Sequence, residues 1–120
     1  MHQETAPRGI PERLRTRAEF AHVMRKGRRS RDRVLMVVAL PSGRPSTRVG
    51  LSVGKHIGGA VVRNRLKRRL RMIVRDHRWQ PGFDVVLVGQ SGAASASYDE
   101  IGASLAENAK RLRLLDTLSV

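Results

Sequence analysis

The sequence predicts an α+β fold: one domain, an α/β sandwich with helices packed on a small sheet. Three observations lead there. Apolar residues recur at helical spacing through a strongly basic stretch, two capping boxes open further helices, and three apolar runs of strand length lie between them. The length of 120 residues and a hydrophobic fraction of 40% suit a single core. With only Phe20, Trp79, Phe83 and Tyr98 aromatic, that core is built mainly from Val, Leu, Ile and Ala.

Residues 1–13 hold two prolines and a glycine without a periodic pattern and read as a flexible N-terminal arm, leaving 14–120 as the domain. Thr16-x-x-Glu19 is a capping box, so the first helix starts there and runs to Lys26, with Gly27 as its stop. Phe20 and Met24 share one face of it. Arg28 to Arg33 is a charged connector with room for a short edge strand. Val34–Leu40 is a continuous apolar strand ending at the turn cluster 41–46, and Arg48–Val53 alternates with Val49, Leu51 and Val53 on one side. Two strands joined by a short turn suggest an antiparallel hairpin.

The basic stretch comes next. Val62, Leu66, Leu70 and Ile73 form a stripe spanning roughly 80° of a helix that runs from about Ala60 to His77. Asn64, Lys67, Arg68, Arg71 and Arg75 fall on the opposite side, Arg63 and Arg65 at its edges, and Arg69 near the apolar border. Six of the nine residues from Arg63 to Arg71 are cationic and none is acidic. Beyond the Pro81-Gly82 punctuation, Phe83–Val88 is a third strand and 89–95 a flexible connection. Ser97-x-x-Glu100 opens a last helix that places Tyr98, Ile101, Leu105, Leu112 and Leu115 on one face and ends near Leu115.

The net charge is +14, and it is concentrated: between Phe20 and Arg75 there are 16 Lys/Arg against one acid, Asp32. Such a field repels itself unless an anion meets it, which is the footprint of a nucleic-acid binder. Arginines outnumber lysines 20 to 4, and the planar guanidinium suits phosphate oxygens. Zero cysteines exclude a disulfide scaffold and Cys-ligated zinc. No apolar run has transmembrane length, no signal-peptide pattern opens the chain, and the basic helix lacks Trp or Phe anchors; a cytoplasmic protein without a membrane role is expected. His2, His22, His56 and His77 form no metal-ligand spacing, no serine stands in a nucleophile elbow, and the glycine-rich stretch 54–59 lacks phosphate-loop order. The sequence thus holds no recognisable active site of its own, and which residues, if any, bind metal is left open.

Gly50-Leu-Ser-Val-Gly-Lys-His-Ile-Gly-Gly-Ala-Val-Val-Arg-Asn-Arg-Leu-Lys-Arg-Arg-Leu-Arg71 resembles the signature of the bacterial ribonuclease P protein subunit, with Arg63-Asn64-Arg65 as its centre. Arg17–Gly27 looks like that family's first helix, and the resemblance extends from Leu14 to Leu115. It implies an α-β-β-β-α-β-α order with a left-handed crossover around the basic helix, and a role in removing 5′ leaders from precursor tRNA. In such an enzyme a catalytic RNA with Mg²⁺ performs the hydrolysis and the protein raises substrate and Mg²⁺ affinity. The resemblance further implies that Lys55, Arg63, Asn64, Arg65, Lys67, Arg68 and Arg71 contact the catalytic RNA. It places a leader-binding cleft between the first helix and the sheet at Phe20, Met24 and Val38. Met24 and Val38 depart from the aromatic residues frequent at these positions, and His56 from a frequent basic residue. Composition by itself equally allows a ribosome-associated RNA-binding protein or a basic DNA-binding protein; the resemblance favours RNA and implies no DNA partner.

Overall fold

A computed structural model describes residues 11–116. In chain order its elements are β1 (Glu12–Arg13), α1 (Arg17–Lys26), β2 (Arg28–Arg31), β3 (Leu35–Pro41), β4 (Arg48–Ser52), α2 (Ala60–Arg75), β5 (Phe83–Gly89) and α3 (Tyr98–Arg111). Short 3-10 turns occupy Lys55–Ile57 and Ser91–Ala94. The α+β expectation holds, as does its element order. The strand β1 is an addition: two residues assigned to the arm pair in parallel with β4 through Glu12↔Arg48 and Arg13↔Val49. The rest of the arm, residues 1–10, lies outside the described residues.

Five strands form one sheet in the order β1-β4-β5-β3-β2. The hairpin expectation fails here. β3 and β4 do not pair; β5 lies between them, antiparallel to β3 and parallel to β4. The physical reason is β5 itself, whose residues Asp84–Leu87 are all buried, so it must be covered on both faces and paired on both edges. The connection from β4 to β5 is then a parallel crossover, and α2 is its helix.

One sheet face carries the main core. Leu35, Val37, Val49, Val85 and Leu87 meet Leu66, Leu70 and Ile73 of α2 and Ile101, Leu105 and Ala109 of α3. Among the described residues the opposite face is covered by α1 and the segment before it, through a smaller cluster of Leu14, Val23, Val38 and Val86. Both capping boxes form as expected, Thr16 with Glu19 and Ser97 with Glu100. Gly27 ends α1 in extended backbone, not in the left-handed turn typical of a helix stop. It is needed for space: a Cβ there would lie 2.8 Å from Val38 Cγ1 and 2.9 Å from the Ala39 carbonyl.

Two further expectations need correction. The connection after β5 is ordered, not flexible: Gln90 N–H donates to Val34 O, Gly92 N–H donates to Arg33 O, and Ala93 is buried. α3 stops at Arg111, short of Leu115, because Arg113 turns left-handed (φ 61°). Leu112, Leu114 and Leu115 remain in the core, and Leu115 forms an antiparallel bridge with Trp79.

Candidate nucleic-acid interface

The helix α2 divides largely as its stripe predicts, with Val62 only half-buried and Val74 added to the buried face. Leu66, Leu70, Ile73 and Val74 are buried, while Asn64, Arg68, Arg71 and Arg75 are exposed and Arg63, Arg65, Lys67 and Arg69 half-buried. No acid stands in its first turn, and its N-cap Gly59 supplies no side-chain bond. The leading N–H groups therefore add positive potential to the cationic ridge. Lys55 is exposed in the turn just before it. Arg63 is partly diverted inward: its Nε donates to Gly58 O at 3.1 Å and steadies the glycine lead-in.

A groove of roughly 830 Å³ opens beside the ridge. Asn64, Lys67, Arg68, Arg71 and Arg75 line one wall, and Pro11–Arg15 with Phe20 the other; Val49–Leu51 of β4 lie between them. Arg13, Arg15, Leu14 and Met72 were missed by sequence reasoning. Met72 carried a usable signal, an apolar residue outside the stripe among arginines, and it is 51% exposed. The segment Pro11–Arg15 carried none, because its place depends on pairing with β4.

Phe20 belongs both to this groove and to the cleft between α1 and the sheet. Its ring lies against Gly50, where a Cβ would come within 2.4 Å of Phe20 Cζ. Only a glycine at position 50 lets the ring approach the strand this closely. Met24, half-buried, packs on the same small cluster. Val38 requires correction: it is 0% exposed and forms the floor beneath α1, so no ligand reaches it. The more accessible residue of β3 is Met36, two positions earlier on the same side, which packs at the margin of the same small cluster. It stands in register with Val88, which pairs with Ser52, and with Arg31. Met36, Val88 and Ser52 are half-buried and Arg31 exposed, giving a row with an apolar centre and a cationic end.

The helix α1 is held over this face by charge. Arg48 donates from Nε and Nη2 to the two oxygens of Asp84 at 2.9 and 2.8 Å, and from Nη1 to Glu19 at 2.7 Å. The second Glu19 oxygen accepts from the N–H groups of Thr16 and Arg15. Those backbone bonds, first that of Thr16, together with Arg48 hold the Glu19 carboxyl down at about 2. The Asp84 bonds, followed by those of Glu19, raise the Arg48 pKa further above its already high value. Among the described residues no three His, Asp or Glu side chains converge as metal ligands would. No helix there is long and apolar enough to cross a membrane.

A cationic helix beside a groove with an apolar floor, on a mixed sheet with this strand order, has known counterparts. The sequence matches the family Ribonuclease P over residues 10–113. The chain belongs to the ribonuclease P protein family. The ribonuclease P protein component of Streptomyces avermitilis is 42% identical over 112 residues, covering 83% of this chain and 90% of the relative. That of Bacillus cereus is 36% identical over 102 residues, covering 82% and 89%. Among solved structures, the Staphylococcus aureus RNase P protein superposes with a TM-score of 0.81 at 25% identity, covering 87% of this chain and 97% of that one. The Thermotoga maritima RNase P protein gives 0.73 at 26%, covering 80% and 93%. The chain is therefore a ribonuclease P protein subunit, a component of a tRNA-processing ribonucleoprotein.

Proposed function

We propose that the chain assembles with a catalytic RNA and helps it remove 5′ leaders from precursor tRNA in the cytoplasm. The observation that carries this reading is the docked ridge of α2, whose buried stripe fixes Arg65, Lys67, Arg68 and Arg71 in one array beside a groove with apolar floor. Lys55, Arg63 and Asn64 extend the array, Asn64 with an amide that both donates and accepts. The ridge neutralises phosphates of the RNA subunit. Phe20, Met24 and Met36 offer apolar contact to the bases of a single-stranded leader, and exposed Arg31, in register with Met36, offers a cation to its backbone. On this reading hydrolysis belongs to the RNA with Mg²⁺ bound by it, and the protein positions substrate.

The test is reconstitution. Added to ribonuclease P RNA, the protein is expected to stimulate cleavage of precursor tRNA at low Mg²⁺; absence of stimulation overturns the reading. Arg65→Ala and Arg68→Ala are expected to weaken assembly with the RNA, each lowering the slope of log affinity against log salt by about 1. Equal affinity of these variants and the parent across salt concentrations contradicts the assignment of the ridge.

A further inference from the structure

The ridge does not exhaust the positive charge. At the far edge of the sheet, β2 carries Arg28, Arg29 and Arg31, and the end of α3 meets it through Arg111 and Leu112, with exposed Lys110 and Arg113 adjoining them in the chain. We infer that Arg28, Lys110, Arg111 and Arg113 form a second phosphate-backbone site for structured RNA, so that the protein holds two RNA segments, one at each edge of its sheet. The proposal rests on the RNA-partner reading above and extends it to a surface that reading leaves without a role.

Two of these cations, Arg28 and Arg111, are fixed in place, and neutral atoms do most of the fixing. Arg28 Nη2 donates to Leu112 O at 3.2 Å, and Arg111 Nη1 reaches Ser30 Oγ at 3.4 Å and Asn108 Oδ1 at 3.3 Å. Guanidinium groups anchored on carbonyl and hydroxyl oxygens keep their charge for an outside anion. Among the described residues, Glu107 alone forms an ion pair with one of these cations. Asp32 accepts from Val34 and Leu35 N–H, Ser104 Oγ and Asn108 Nδ2 and makes no ion pair with the cations, while Glu107 is exposed and meets Arg111 at 3.6 Å. Among the described residues, Arg28, Lys110 and Arg113 have no carboxylate within ion-pair distance.

Arg113 supplies the sharpest observation. Its N–H donates to Lys110 O and that of Leu114 to Ala109 O, the two bonds of a Schellman helix stop. Arg113 occupies the left-handed position of that motif, with φ 61°, where glycine is the residue of least cost. A side chain kept against local preference calls for a gain elsewhere. Protection of an exposed sheet edge explains arginines on β2, and the helix dipole explains Lys110 and Arg111. Neither explains Arg113.

Arg113→Gly tests this directly, because the fold and the RNA should respond in opposite directions. The full-length variant is expected to melt at or above the parental temperature. It should bind ribonuclease P RNA several-fold more weakly at low salt, with a salt slope reduced by roughly 0.7–0.9. Lys110→Ala combined with Arg113→Gly should about double the loss of slope, and hydroxyl-radical footprinting should show one protected RNA segment fading while the segment sensitive to Arg65→Ala persists. Parental affinity, slope and footprint in the double variant overturn the second site. If Arg65→Ala still weakens binding in that experiment, the proposed function stands without it. A lower melting temperature for Arg113→Gly assigns Arg113 a structural role and likewise overturns the proposal. Failure of the parent protein to bind the RNA would remove both readings together.

Discussion

At the scale of single residues, position on a strand decides whether an apolar side chain serves the fold or a ligand. Val38 and Met36 point to the same side of β3, yet Val38 is sealed beneath α1 and Met36, at the margin of the same cluster, is half-buried in register with Val88. Val38→Ala should therefore lower stability by roughly 1–3 kcal/mol, as a cavity-forming core truncation does, and leave leader binding by the folded protein unchanged. Met36→Ala should do the reverse, weakening substrate with a leader several-fold while mature tRNA and the melting temperature are little affected. Melting curves and binding of both substrates check the pair; a leader-specific loss in Val38→Ala would reinstate it as a cleft residue. Strand alternation made the shared side of these residues legible. Which of them α1 covers was not, since that depends on the length and angle of a helix packed from elsewhere in the chain. Phe20 was legible through the resemblance, and its close approach to Gly50 only through the structure.

At the scale of elements, helices declared their boundaries more clearly than strands did. Thr16–Glu19 and Ser97–Glu100 are local signals whose bonds close within one turn, so three residues of spacing are enough to find them. What tethers α1 to the sheet is non-local, the chain of Glu19, Arg48 and Asp84, and no spacing announces it. This tether makes the cleft sensitive to acid. Glu19 has a folded pKa near 2 against an ordinary 4.5, so the unfolded chain takes up the proton first as pH falls. Its contribution is complete above about 4.5, erodes between there and 2, and is absent below. Glu19→Gln should reduce stability at neutral pH, and the melting temperatures of variant and parent should converge across that window. Asp32 and Glu100 are also depressed, but they are common to both proteins and cancel in the difference. A constant offset down to pH 2 would show that Glu19 does not act through its charge. Arg48→Ala should be harsher, on the order of 3 kcal/mol, because it leaves the mostly buried Asp84 carboxylate without its fork.

At the scale of the whole molecule, the sequence revealed how many strands' worth of apolar surface had to be buried but not their order. A strand buried on both faces, as β5 is, has no periodic signal to tell its neighbours apart, and proximity in sequence suggested a β3–β4 pair that β5 separates. The charge, in contrast, was fully legible, and it sets the balance between stability and assembly. The chain carries +14 over 120 residues, with the α2 ridge at one edge of the sheet and the β2–α3 cations at the other. Mutual repulsion within these arrays opposes folding of the free protein and is relieved by counterions or by RNA. Raising monovalent salt from low to moderate concentration should thus raise the melting temperature of the free protein, by about 4 °C for each kcal/mol of relief, while it weakens RNA binding. The Arg65→Ala/Arg68→Ala protein should start with a higher melting temperature at low salt and gain less from added salt, because part of the repulsion is already gone. The same substitutions weaken assembly, so stability and partner affinity move in opposite directions along one variable. A melting temperature indifferent to salt, or a double variant less stable than its parent, would show instead that the ridge arginines are held by favourable contacts within the fold and do not await an anion.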